Sequence, residues 1–84
     1  MEKNINSPKI VSLTEMKEND KGEIVEVLGG YNAKNRLQSL GVRIGKKITK
    51  ISEQLFHGPV VFEIDGNQLA LGYKIAEKIK IRLI

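Results

Sequence analysis

The sequence has no cysteine and no tryptophan among its 84 residues, and only one histidine, two prolines and four Phe or Tyr residues. Without cysteine there is no disulfide framework, no thiolate metal site and no cysteine nucleophile, which suits a reducing cytosol. Unbroken apolar runs are also missing, so no segment approaches the ~20 residues that cross a bilayer as a helix. Residues 1–8 carry Glu2, Lys3 and Asn4 and no apolar core, so no secretory leader is expected and the expected location is cytoplasmic. A chain this short buries only about 60% of the surface its unfolded form exposes. Deep pockets are hard to build at this size, and surface binding is the natural activity.

Catalytic chemistry has little to work with. His57, the single histidine, lies in an expected loop with no acid beside it. It reads as an ordinary exposed loop histidine, with metal ligand or general base as the alternatives. No Ser or Thr stands in a nucleophile elbow. The segment Gly41-Val42-Arg43-Ile44-Gly45-Lys46-Lys47 superficially resembles a phosphate loop. Its glycine spacing is one residue short, and Lys47 stands where Ser or Thr should meet magnesium. The carboxylates are scattered, and none pairs with a histidine at helical spacing. The residues therefore predict no enzyme, no catalytic residue, no bound cofactor and no metal ligand set.

Charge is present, but mild. Fourteen Lys and Arg against ten Asp and Glu leave +4, spread along the chain. Nucleic-acid binders cluster such residues with aromatics, and this chain does not. A solvated basic surface is the plain reading, with an acidic protein as the first partner class and RNA or anionic lipid after it.

Periodicity supplies the elements. Ser12-Leu13-Thr14-Glu15 has the spacing of a capping box and predicts a helical turn, ended by Asn19-Asp20-Lys21-Gly22. Glu23 to Leu28 is rich in β-branched residues and predicts a strand. Asn32 predicts an N-cap, Ala33, Leu37 and Leu40 one helix face, and Gly41 a left-handed C-terminal residue with Val42 folded back on Leu37. Lys46 to Ser52 is a second strand whose apolar residues Ile48 and Ile51 are three apart, so a bulge or bend is expected there. Val60 to Ile64 alternates cleanly, Asp65-Gly66 is a hairpin turn, and Gln68 to Leu71 follows as a strand. After Gly72, residues 73–77 make a helical turn, and Ile79, Ile81 and Leu83 alternate with Lys78, Lys80 and Arg82. The expected fold is mainly β: a small barrel of about five strands, with a short helix after the first and a helical turn before the last. Residues 1–11 read as a flexible lead-in and residues 12–84 as the single domain. The expected core is Leu13, Ile24, Val27, Leu37, Leu40, Val60, Phe62, Ile64, Leu69, Leu71, Ala76, Ile79 and Ile81, with Leu83 at its margin.

In this order of elements the chain resembles the FeoA family of ferrous iron transport proteins and the terminal barrel of DtxR-type repressors. The strongest likeness is Arg36-Leu37-Gln38-Ser39-Leu40-Gly41-Val42-Arg43-Ile44-Gly45, which follows the family's Arg-Leu-x-x-Leu-Gly-hydrophobic-x-Pro-Gly pattern except that Ile44 replaces the proline. Gly22 before the first strand, Pro59 before the third and Leu69-Ala70-Leu71 add to it. The resemblance implies an SH3-like barrel. It also implies a role beside FeoB, the membrane transporter with a cytosolic GTP-binding domain, by docking on that domain and affecting uptake. It implies no iron ligand set. A metal-responsive regulatory module or a small RNA-binding barrel is the alternative. Two segments are expected to offer a docking surface: Lys34, Arg36, Gln38, Val42 and Arg43 on the inserted helix and its exit, and the loop Leu55, Phe56 and His57. For the loop, Leu55 and Phe56 either meet a partner or fold back to cap the barrel.

Overall fold

The computed structural model describes residues 9–52 and 55–84. In chain order it has β1 (Ile10–Ser12), a 3₁₀ turn (Leu13–Glu15), β2 (Lys21–Val27), α1 (Tyr31–Ser39), β3 (Lys47–Ser52), β4 (Val60–Ile64), β5 (Asn67–Leu71), α2 (Tyr73–Glu77) and β6 (Ile79–Leu83). The six strands form one antiparallel sheet in the order β1-β6-β2-β3-β4-β5. Val60 and Phe62 on β4 and Ile79 and Ile81 on β6 are all fully buried in one cluster, although β2 and β3 lie between them. Two short helices cannot cover so wide a face, so the sheet curls over it as a small SH3-like barrel whose end strands, β1 and β5, are not paired to each other.

The sheet has one strand more than the periodicity indicates. Ile10–Ser12, in the stretch read as lead-in, pairs with β6 across Ile10↔Arg82, Val11↔Ile81 and Ser12↔Lys80. Three residues are too few to show an alternation, which is why β1 has no sequence signature. Residues 1–8 lie outside those described. The capping box forms as expected, with the Ser12 amide donating to Glu15 Oε1 at 2.8 Å.

Two bulges interrupt the pairing of β2 and β3. In β2 the register with β6 shifts between Ile24 and Glu26, so Ile24 and Val27 both reach the core although they are three apart. In β3 the register with β4 shifts between Lys50 and Ser52, the bulge that the Ile48–Ile51 spacing predicts. Its inward residues, however, are Ile48 and Lys50, while Ile51 is half-buried.

Lys50 is thus a core residue, with 0% exposure. Its ammonium donates to the carbonyl oxygens of Met16 at 2.8 Å and Leu13 at 3.1 Å. Its main chain is tied to the same stretch: the Asn19 amide donates to Lys50 O at 2.8 Å, and the Lys50 amide donates to Asp20 O at 2.9 Å. The rest of the core is apolar and includes Met16, Val42 and Ile48 beyond the set expected. Leu40 is 45% exposed, and Leu69 and Leu83 are half-buried at its edge.

Two variants test this core. Lys50→Met keeps the side-chain volume but removes the ammonium donor from Met16 O, and from Leu13 O, which keeps only the Met16 amide at 3.4 Å; an unpartnered buried carbonyl costs about 1–3 kcal/mol. We expect a loss of about 2–3 kcal/mol, a fall of about 10 °C or more in melting temperature for so small a domain, with amides of residues 13–20 exchanging first. Gly22 allows no side chain, since an added Cβ would lie 2.3 Å from Ile81 Cγ2 and 2.8 Å from the Arg82 carbonyl oxygen. Gly22→Ala should therefore part β2 from β6 and lower the melting temperature, whereas Gly30→Ala, which meets no atom within 4 Å, should leave it near its starting value.

Candidate functional site

The two expected docking segments are placed by α1 and by the turn before β4. Helix α1 begins at Tyr31 with Gly30 as its N-cap, two residues earlier than an Asn32 cap would set it. It ends as the sequence predicts. Gly41 takes φ +93°, the Val42 amide donates to Leu37 O at 2.9 Å and the Gly41 amide to Gln38 O at 2.9 Å. These are the two bonds of a Schellman end.

That ending sorts the helix residues. Val42 folds back into the core and is 1% exposed, so it offers no surface to a partner and leaves the expected docking set. Lys34, Gln38 and Arg43 are exposed around a small hollow of about 70 Å³ that includes exposed Ile44. Arg36 lies on the other side of α1. With Ala33, Leu37, Leu40, Leu71 and Ile75 it lines an open, mainly apolar groove of about 300 Å³. Sequence reading missed Ile44 and Ile75 as exposed apolar groups, while Leu71 is the core residue expected and only its edge reaches the groove. Ile44 follows from the exit geometry of α1, whereas Ile75 comes from a distant element and carries no local signal.

The loop residues are held outward. The Gly58 amide donates to Leu55 O at 2.9 Å, closing a turn whose central residues, Phe56 and His57, have φ of 54° and 58°. Both are left-handed, the signs of a type I′ turn normally made by Asn-Gly. Neither residue is suited to that region, and each costs about 1–2 kcal/mol there. Leu55 is 77% and Phe56 100% exposed, so neither folds back onto the barrel. His57 stacks on Tyr73 with ring centroids 4.2 Å apart and planes 13° from parallel. Tyr73 opens α2 and packs against the core. The stack fastens the loop tip to the element that also supplies Ile75 to the groove. Loop and groove thus share α2 as a common support, through Tyr73 on one side of it and Ile75 on another.

His57 meets an aromatic ring rather than a carboxylate. Among the described residues no three His, Cys, Asp or Glu side chains converge, and no helix is long and apolar enough to cross a membrane. Exposed cations and apolar side chains are what the surface presents.

Replacing Tyr73 with Leu keeps an apolar side chain against the core but removes the stack. A stacked pair contributes about 0.5–1.5 kcal/mol. The Gly58 amide should then exchange about fivefold faster, read by hydrogen-exchange NMR, while the melting temperature falls by at most about 4–8 °C.

Known proteins are similar to this chain over most of its length. The FeoA domain family matches residues 11–83. A protein of Methanocaldococcus jannaschii, named provisionally as an Fe(2+) transport protein A, is 34% identical over 65 residues, covering 77% of each chain. The crystal structure of an iron uptake regulatory protein (FeoA) superposes with a TM-score of 0.84 at 33% identity, over 90% of this chain and all of that one. A manganese-dependent transcriptional repressor superposes with a TM-score of 0.83 at 18% identity, over 93% of this chain and 44% of its own, a likeness of fold alone.

Proposed function

The chain belongs to the FeoA family, and we propose that it is a small cytoplasmic accessory protein of ferrous iron transport, docking on the cytosolic GTP-binding domain of the FeoB transporter and modulating uptake. One observation carries the docking part of this reading. Phe56 is wholly exposed, yet it sits at a turn bonded across its base and backed by the His57–Tyr73 stack. With the backbone beneath it fixed by the turn, the ring has only its two side-chain torsions to order on binding, and it gains its full burial there, about 1.5–3 kcal/mol. Such a residue is the usual anchor of an interface. Leu55 beside it is likewise exposed, and the Arg36 groove offers a further apolar face with a cation at its border, the composition that interface centres and rims share.

The test is Phe56→Ala. Its affinity for the purified GTP-binding domain of FeoB, loaded with a non-hydrolysable GTP analogue, should fall about 10–30-fold, as expected for a loss of about 2 kcal/mol. Its melting temperature should stay within about 2 °C of the parent, because the ring touches nothing that holds the fold. Unchanged affinity with a lowered melting temperature would overturn the assignment of this residue.

A further inference from the structure

Strand β5 ends the sheet, with β4 on one side and no strand on the other. Across the two-residue turn Asp65-Gly66, the pairs Ile64↔Asn67, Phe62↔Leu69 and Val60↔Leu71 are the ones that exchange hydrogen bonds with β4. The amides and carbonyls of Gln68 and Ala70 therefore point outward. Both residues are exposed, and among the described residues these groups have no partner. Edge strands are ordinarily guarded by lysine, proline or a bulge. β5 reads Asn-Gln-Leu-Ala-Leu and pairs with β4 without a register shift, so it has none of these guards.

Helix α1 runs alongside this edge and leaves two hollows. One, of about 300 Å³, lies at the Leu71 end and includes Arg36; the other, of about 350 Å³, lies at the Asn67 end and includes Arg43 and Leu69. Leu40, the apolar residue expected in the core, stands half-exposed between them and borders both. From Val27 to Ser52 the chain has six Lys or Arg and no Asp or Glu. The acid that borders the second hollow, Asp65, is engaged by Lys46 at 2.8 Å.

We propose that the β5 edge receives an extended segment of an acidic protein partner as an added antiparallel or parallel strand: main-chain bonds go to Gln68 and Ala70, alternate apolar side chains enter the two hollows, and carboxylates at the segment's ends meet Arg36 and Arg43. This deepens the docking reading above by naming the form in which a partner segment is held. It uses strand addition, in which backbone bonds supply affinity and pockets for alternate side chains supply specificity. A second copy of this chain is the poorer occupant. Two-fold pairing of β5 with itself would set two Arg36 and two Arg43 side chains in one cleft with no acid between them.

The experiment uses the isotope-labelled full chain and two eight-residue peptides. Each has a Val-Thr-Val-Thr centre, flanked by glutamate pairs in one and lysine pairs in the other. Expected are slowed amide exchange at Gln68 and Ala70 with the glutamate peptide, and binding about tenfold weaker for the lysine peptide. The double variant Arg36→Glu/Arg43→Glu should reverse that preference. Ala70→Pro, tolerated where an edge amide faces solvent, should abolish binding with little change in melting temperature. If it fails to fold, the charge reversal still decides. No protection at Gln68 and Ala70 with millimolar glutamate peptide overturns the proposal, as does protection that rises with protein concentration and no peptide, which would identify a second copy. If the FeoB domain binds the parent and Ala70→Pro equally, strand addition is wrong and docking stands. If the glutamate peptide protects the edge while the FeoB domain does not bind, docking on FeoB is wrong and strand addition stands.

Discussion

The ammonium of Lys50 holds the entrance of the chain to the rest of the barrel. The stretch 13–20 has no regular ladder of its own, and two of its carbonyls, those of Leu13 and Met16, turn toward the interior. An apolar side chain at position 50 would fill the space, leave the Met16 oxygen without this donor and leave the Leu13 oxygen with only the long bond from the Met16 amide at 3.4 Å. Withdrawing an ammonium from water costs several kcal/mol, so the choice is stable only because charge-assisted bonds, roughly twice as strong as neutral ones, offset it. Through that contact Leu13 and Met16 close one side of the core, beneath Ala76 of α2 and the inward face of β6. The cation stands in the place a barrel strand normally gives to Val or Ile.

The same residue shows where the sequence stops being legible. Hydrophobic alternation located β4 and β6 and the tight turn at Asp65-Gly66, because each follows from contacts between near neighbours. A lysine at the inward phase of β3 looks like an error of phase, and the bulge explains only half of it. The other half lies in carbonyls more than thirty residues away, which no window of sequence contains. Leu40 failed for a related reason. Its spacing with Leu37 is helical, but the face it shares is decided by how far β5 extends along α1, and the sheet ends too soon to cover it. Gly41 and Val42 were legible because a Schellman end is a local geometry. Its consequence, that Val42 turns inward, also removes Val42 from the surface to which its position near Arg43 would assign it.

Of the candidate surface, the chemistry was readable and the assembly was not. Leu55, Phe56 and His57 stood out as an apolar loop without a clear structural task. What orders that loop is Tyr73, a residue whose sequence context says only that a helix begins. The left-handed pair Phe56 and His57 is a local departure from propensity, and such departures persist where surrounding contacts over-determine them. Here the stack and the bond across the turn do so, and the fold gives up some stability to keep an aromatic ring in water.

The acid-free stretch from Val27 to Ser52 bears on time as well as on affinity. Its exposed cations lie on α1, on its exit and at the start of β3, so their fields add over distances comparable to the ~8 Å screening length of physiological salt. A negatively charged surface approaching this side is drawn in and turned before any contact forms, which shortens the search for the bound orientation. Such an encounter is fast in dilute buffer and slows as ionic strength rises, while the lifetime of the complex, governed by short-range contacts, changes far less. For a protein of this size, which presents few contacts and little area, speed of arrival is a means of being found that does not require a large interface.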